Sequence, residues 1–288
     1  MIKIKYFIQF ILILSLFGAF KLLGIKISSK LSEYLFLLLG PLFRSKEIFK
    51  KNIRKVFPDI DTYKENEIFK NVWKNYGKMF AEYMFIRDFR NSQKFEQNLI
   101  IENLEILEQI KKNKEPVIFI SGHFNNFELM AMQIEKSGIN LAAIYRPLNN
   151  IYLNPIMENI RKKYICKKQI KKGISGTKQI LKEYKNGASI ALMIDQRVSE
   201  GILSNFFGEK ALTTTIPAQF VKKFNTKIVP IYIERLRNNE FKIKIHDVIE
   251  FDNSCNIETI TFELNKILEN MVLKNPSQWI WTHDRWRI

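Results

Sequence analysis

Residues 6–20 form an apolar run whose only polar members are Gln9 and Ser15, and no other feature limits the chain's architecture as much. Extended through Lys21 to Leu23, an 18-residue helix reaches ~27 Å, close to the hydrocarbon thickness of a bilayer. Lys3 and Lys5 precede the run, as in a secretory signal. However, Phe17, Gly18, Ala19, Phe20 and Lys21 make no small-x-small cleavage pattern, so an uncleaved anchor over residues 1–24 is expected. Lys21, Lys26, Lys30, Arg44, Lys46, Lys50, Lys51, Arg54 and Lys55 follow the run. The positive-inside bias then places residues 25–288 on the cytoplasmic side of a single-pass anchor. A second apolar patch, 31–43, contains Glu33 and Pro41 and reads as an interfacial or packed helix. Two buried core helices are the alternative for both patches.

After the anchor, the remaining length suits one large domain. A hydrophobic content of 46% and an aromatic content of 13% exclude a disordered chain. The net charge of +17 calls for nucleic acid, an anionic membrane or phosphorylated and acidic partners. The apolar start favours membrane lipids. No aromatic pattern among the basic residues suggests RNA recognition, so no nucleic-acid partner is expected. Ten basic residues against the single acid Glu183 lie in 161–185; they form a solvated face able to attract anionic lipid or an acidic protein. Cys166 and Cys255 lack CxxC spacing, and His123, His246 and His283 adjoin no carboxylate cluster. Neither a disulfide framework, a metal nor any other cofactor is expected.

Helical spacing dominates residues 60–109, with Ile68, Val72, Tyr76 and Phe80 on one side. Residues 116–121 read as an apolar run rich in β-branched residues, and predict a buried strand. A helix is expected over 125–137, closed by Gly138. Further strands are expected at 141–145, 188–194, 227–234 and 241–245, the last two separated by the turn-like Asn238 and Asn239. Helices are expected at 176–185 and 257–273. The alternation predicts an α/β fold with a mostly parallel central sheet flanked by helices, preceded by the membrane-anchoring helix.

The strongest chemical signal is Ser121-Gly122-His123-Phe124-Asn125-Asn126-Phe127-Glu128. A buried strand delivers His123 into a turn, and Glu128 in the following helix can fold back to fix the imidazole tautomer. The other reading has Asn125 and Glu128 forming a capping box, with His123 an ordinary loop histidine. Spacing alone leaves both open.

His-x-x-x-x-Glu after a buried strand resembles the signature of glycerolipid-type acyltransferases. More specifically, the chain is similar to the late acyltransferases of lipid A biosynthesis. Three further blocks carry this: Tyr145-Arg146-Pro147 with Asn149 and Asn150; Asp195-Gln196 followed by Phe206-Phe207-Gly208, Ala211 and Thr213; and the ending from Pro276 through Trp279, Trp281, His283 and Arg285 to Arg287. The resemblance implies a bacterial inner-membrane O-acyltransferase that takes an acyl chain from acyl-carrier protein to a hydroxyl of a phosphorylated glycolipid, a lipid A precursor. It implies His123 as general base oriented by Glu128. It also implies substrate contacts from Arg146, Asn126, Asp195, Gln196, Phe207, Gly208, Thr213, His283 and Arg285. With no cysteine or activated serine in the motif, direct transfer is expected over an acyl-enzyme. An acyltransferase acting on another glycolipid or on a lysophospholipid is the alternative, as is a non-catalytic membrane lipid-binding protein. An esterase would need a Gly-x-Ser-x-Gly elbow, which the sequence lacks.

Overall fold

A computed structural model describes residues 2–43, 46–237 and 239–288. It opens on one bent helix, α1 (Ile2–Phe43), which is long and apolar enough to cross a membrane. The bend is Gly24, at φ 75° and ψ 163°, a left-handed backbone that only glycine adopts without strain. Both apolar patches of the sequence therefore lie in α1, one on each arm. After α2 (Lys46–Val56) comes α3 (Thr62–Glu82), started by the Asp61 carboxylate accepting from the Lys64 N–H. Both arms pack on α3: Phe17 and Phe36 lie 5.0 and 5.2 Å from the Phe80 ring. The contact is close because Gly77 sits against the Ser32 carbonyl, where a Cβ would come within 2.3 Å of the oxygen. The outer faces of the arms expose Ile4, Phe7, Ile11, Leu22, Leu38 and Leu42, a surface suited to lipid.

The short helices α4 (Ile86–Asn91) and α5 (Gln93–Glu96) lead to β1 (Leu99–Glu102) and α6 (Leu104–Asn113). β1 breaks the helical pattern expected across 60–109. Then follow β2 (Ile118–Ser121), α7 (Glu128–Lys136), β3 (Leu141–Tyr145), α8 (Leu153–Tyr164), β4 (Lys168–Lys171), α9 (Ile174–Lys185) and β5 (Ser189–Met193). A separate hairpin of β6 (Ile202–Phe206) and β7 (Glu209–Thr213) precedes α10 (Ile216–Phe224), β8 (Ile228–Arg235), β9 (Phe241–Ile245) and α11 (Ile257–Lys274). Of the turn expected between β8 and β9, Asn238 lies outside the described residues.

The main sheet runs β1-β9-β8-β2-β5-β3-β4 and is parallel except where β8 meets β9. The expected α/β fold with a mostly parallel sheet is therefore the observed one. β2 is central and buried along its whole length, which explains its apolar Ile118-Phe119-Ile120 sequence. β9, nearer the edge, alternates buried and partly exposed residues as Phe-Lys-Ile-Lys-Ile requires.

Candidate active site

β2 and β5 are parallel neighbours in a register that sets Ser121 opposite Met193. Two residues beyond each partner, off the carboxyl ends, stand His123 and Asp195. The Asp195 Oδ1 lies 2.7 Å from His123 Nδ1, and its Oδ2 accepts the His123 backbone N–H at 2.6 Å and the Trp279 indole N–H at 2.9 Å. Asp195 is fully buried. Burial alone would raise its pKa, but the neighbouring His123 charge and these three donors hold it below the usual carboxylate range. A carboxylate in this position fixes Nδ1 as the protonated nitrogen and leaves Nε2 as the basic one. Gly122 makes room for the arrangement: a Cβ there would lie 2.9 Å from the Phe124 ring and 3.1 Å from Asp195 Oδ2.

The expected pairing of His123 with Glu128 is therefore not the one the structure makes. Glu128 opens α7, where the helix dipole favours its charge. Its Oε1 accepts from Arg161 of α8 at 2.8 Å (Nε) and 2.7 Å (Nη2). The capping box does not form either, because Asn125 turns inward to the Ile233 carbonyl and Gln278 side chain. Arg161 also stacks over the Tyr145 ring at 5.5 Å. Burial opposes its charge, but Glu128, with Tyr83 and Tyr145 beside it, more than offsets this and holds the guanidinium cationic.

The pair borders a cavity of about 340 Å³. Its polar wall includes His123, Glu128, Arg161, Arg146, Lys172 and Gln196, and its apolar wall includes Ala131, Ile144, Met193, Val198 and Ile216. A hydroxyl-bearing headgroup and an acyl chain could share such a space. Of the residues singled out in the sequence, His123, Glu128, Arg146, Gln196 and His283 line it, and Asp195 reaches it through the imidazole.

Four other expected substrate contacts lie outside the lining, and Arg285 makes a fifth. Asn126 is fully buried and donates to Glu82 at 3.1 Å. Phe207 and Gly208 form the two-residue turn of the β6–β7 hairpin, with φ of 54° and 76°. That turn is held by Glu269, which accepts the Phe207 N–H. Arg285 is also fully buried; it donates to the Leu212 carbonyl and, at 2.7 Å, to Thr213 Oγ1, so the two residues clamp β7 from within. Polar residues in functional-looking blocks are here structural partners. Arg161 and Lys172, by contrast, line the cavity, although lysine-rich composition hid them among solvated neighbours.

Behind the His123 loop lies a buried polar network. Glu82 of α3 pairs with Arg235 at the end of β8 and accepts from Asn126 and Asn239; Asn239 also donates to Ser29 of α1. Gln278 bonds the Arg235 backbone in both directions and receives Asn125. Trp279 pairs with Phe124 as an isolated antiparallel bridge. The carboxyl-terminal segment thus locks the loop into place, and Trp279 and Trp281 belong to the core.

His283 is a poor base. Its Nε2 accepts the Arg197 N–H at 3.0 Å, and burial pushes its pKa down to about 4. Because the unfolded residue titrates near about 6.5, the unfolded chain takes up its proton first. This contribution to stability is complete above about pH 6.5 and drains as the pH falls towards 4. We expect roughly 1–3 kcal/mol to be lost over that window. His283→Gln should flatten the fall of melting temperature between pH 6.5 and 4, and superimposable wild-type and variant curves would refute the assignment.

A family model described as bacterial lipid A biosynthesis acyltransferase matches residues 1–288. The chain is 23% identical over 198 residues to lipid A biosynthesis acyltransferase 2 of Shigella flexneri, covering 67% of this chain and 62% of that one. It is 22% identical over 201 residues to the lipid A biosynthesis myristoyltransferase of Escherichia coli (strain K12), covering 67% and 60%. These matches span about three fifths of the length of the curated relatives. Among solved structures, the 1-acyl-sn-glycerophosphate (LPA) acyltransferase PlsC from Thermotoga maritima is 14% identical at a TM-score of 0.41, covering 88% of this chain and 99% of its own.

Proposed function

Since the chain belongs to the bacterial lipid A biosynthesis acyltransferase family, we propose that it is a membrane-bound O-acyltransferase that moves a fatty acyl group from acyl-carrier protein to a hydroxyl of a lipid A precursor. The observation that carries this reading is the buried Asp195 holding Nδ1 of a histidine that lines a half-polar, half-apolar cavity. His123 Nε2 takes the proton of the acceptor hydroxyl as its oxygen attacks the thioester carbonyl. A C–O bond forms, the C–S bond breaks, and the imidazolium returns the proton to the departing thiolate. Asp195 supports the imidazolium. Glu128 acts through Arg161, holding the guanidinium at the cavity wall, where its charge favours the developing oxyanion. Gln196 and His283 shape the same wall.

Residues 1–24 serve as the membrane anchor and 25–288 as the acyltransferase domain, on the cytoplasmic side of the bacterial inner membrane. The exposed apolar arms of α1 and the excess of basic residues support attachment to anionic lipid. The test is transfer in detergent from an acylated carrier protein to a tetra-acylated lipid A precursor, with lysophosphatidic acid as a competing acceptor. Product on the glycolipid is expected. Exclusive acylation of the lysophospholipid would reassign the acceptor, and no transfer from any donor would remove the enzymatic reading.

A further inference from the structure

The register logic that builds the His123–Asp195 pair repeats one strand further along the sheet. β3 and β4 are parallel neighbours with Tyr145 opposite Lys171, and the Lys172 N–H donates to the Tyr145 carbonyl at 2.9 Å. The next residue of each strand is a cation: Arg146 after β3 and Lys172 after β4. Adjacent strands lie about 4.8 Å apart, so the two stems leave the sheet edge side by side. Both side chains line the cavity that His123 borders.

Neighbouring cations in this protein are neutralised where a carboxylate is within reach. Arg161 has Glu128, Lys171 has Glu158 and Lys168 has Glu183. Among the described residues, Arg146 and Lys172 have no ion pair and no side-chain hydrogen bond. Glu200 is the acid whose charge reaches Lys172, without forming an ion pair. Partial desolvation and then the Arg146 charge push the Lys172 ammonium below its usual range. Two like charges held together at a cavity mouth repel one another, and a dianion between them relieves that cost.

We propose that Lys172 and Arg146 form a phosphate-monoester site that grips the acceptor's phosphate and so presents its hydroxyl to His123. This rests on the acceptor being a phosphorylated glycolipid, as proposed above. The carrier protein's pantetheine arm also holds phosphate, but as a singly charged diester, which matches one cation rather than two. Lys172 is then a specificity residue that composition had concealed in a lysine-rich stretch.

Two measurements on the full chain in detergent test this. In steady-state kinetics, Lys172→Met should raise KM for the phosphorylated precursor about tenfold or more, with kcat and the KM for acyl-carrier protein little changed. Lys172→Arg should restore most of the loss. With enzymatically dephosphorylated precursor, wild type and Lys172→Met should be equal. An effect confined to the carrier-protein KM would assign the pair to the donor and overturn the proposal. The second measurement needs no turnover: amine-reactive labelling of Lys172, read by mass spectrometry. Phosphorylated precursor should protect Lys172 and dephosphorylated precursor should not. Protection without any acyl transfer would keep the anion site while removing the proposed reaction. Transfer without protection would do the opposite.

Discussion

His123→Ala is expected to lower acyl transfer by about three orders of magnitude, within the range that general-base catalysis supplies. Acceptor KM should change little, because the imidazole is one contact in a cavity lined by many groups. Asp195→Asn is the sharper experiment. Asparagine keeps the volume but places an amide where Nδ1–H, a backbone N–H and the Trp279 indole all donate. At least one donor is then unsatisfied and the imidazole tautomer is no longer fixed, so a loss of 10²–10⁴-fold is expected. Residues acting as a unit are not additive, so the double variant should be scarcely slower than His123→Ala alone. Retention of more than about a tenth of the wild-type rate by His123→Ala, in a protein with unchanged melting temperature, would falsify the base assignment.

The second large effect is on stability. Arg235→Met strands the fully buried Glu82 carboxylate without its cationic partner; Asn126 and Asn239 remain as neutral donors. Breaking a buried pair from one side costs about 3–5 kcal/mol, and the melting temperature should fall by on the order of 10 °C. Replacing both partners, Glu82→Leu with Arg235→Met, should recover much of that loss, because the cost lies in the uncompensated charge rather than in the missing attraction. Thermal melts of the two single variants and the double variant check this. A double variant as unstable as the sum of the singles would show that the two side chains are not coupled, each holding the fold through its own hydrogen bonds to Asn75, Asn126 and Asn239.

What could be read from the sequence, and what could not, follows the range of the interactions. β2 was legible because burial on both faces favours the apolar run Ile118-Phe119-Ile120, and β5 because Ile190, Ala191, Leu192 and Met193 make another. His123 was legible because a strand, a glycine and a helix start bracket it. Its true partner was not. Glu128 is five residues away in sequence, whereas Asp195 is 72 positions away, and only the order and register of β2 and β5 bring it close. β1 was missed because four residues beside a long helical pattern carry too little periodicity to stand out. The β6–β7 hairpin was missed for a different reason. Its turn places Phe207 at positive φ, which side-chain identity does not advertise, although the glycine after it was a usable sign. Arg285, Thr213 and Asn126 show the limit of reading polar residues as ligand contacts, because a buried network draws on the same residue types.

The bend at Gly24 bears on how the protein can be handled. The first arm touches the body at both ends: Asn150, four residues past Arg146, donates to the Tyr6 carbonyl, and Lys21 pairs with Asp88. The second arm supplies Ser29 to Asn239, one bond away from Glu82. Cutting the chain at the bend to obtain a detergent-free enzyme would not peel away a detachable tether. It would uncover Phe80 and loosen the rim beside the cavity mouth. Under the membrane-bound reading proposed above, lipid is less a mooring for the protein than an outer wall of its own interior.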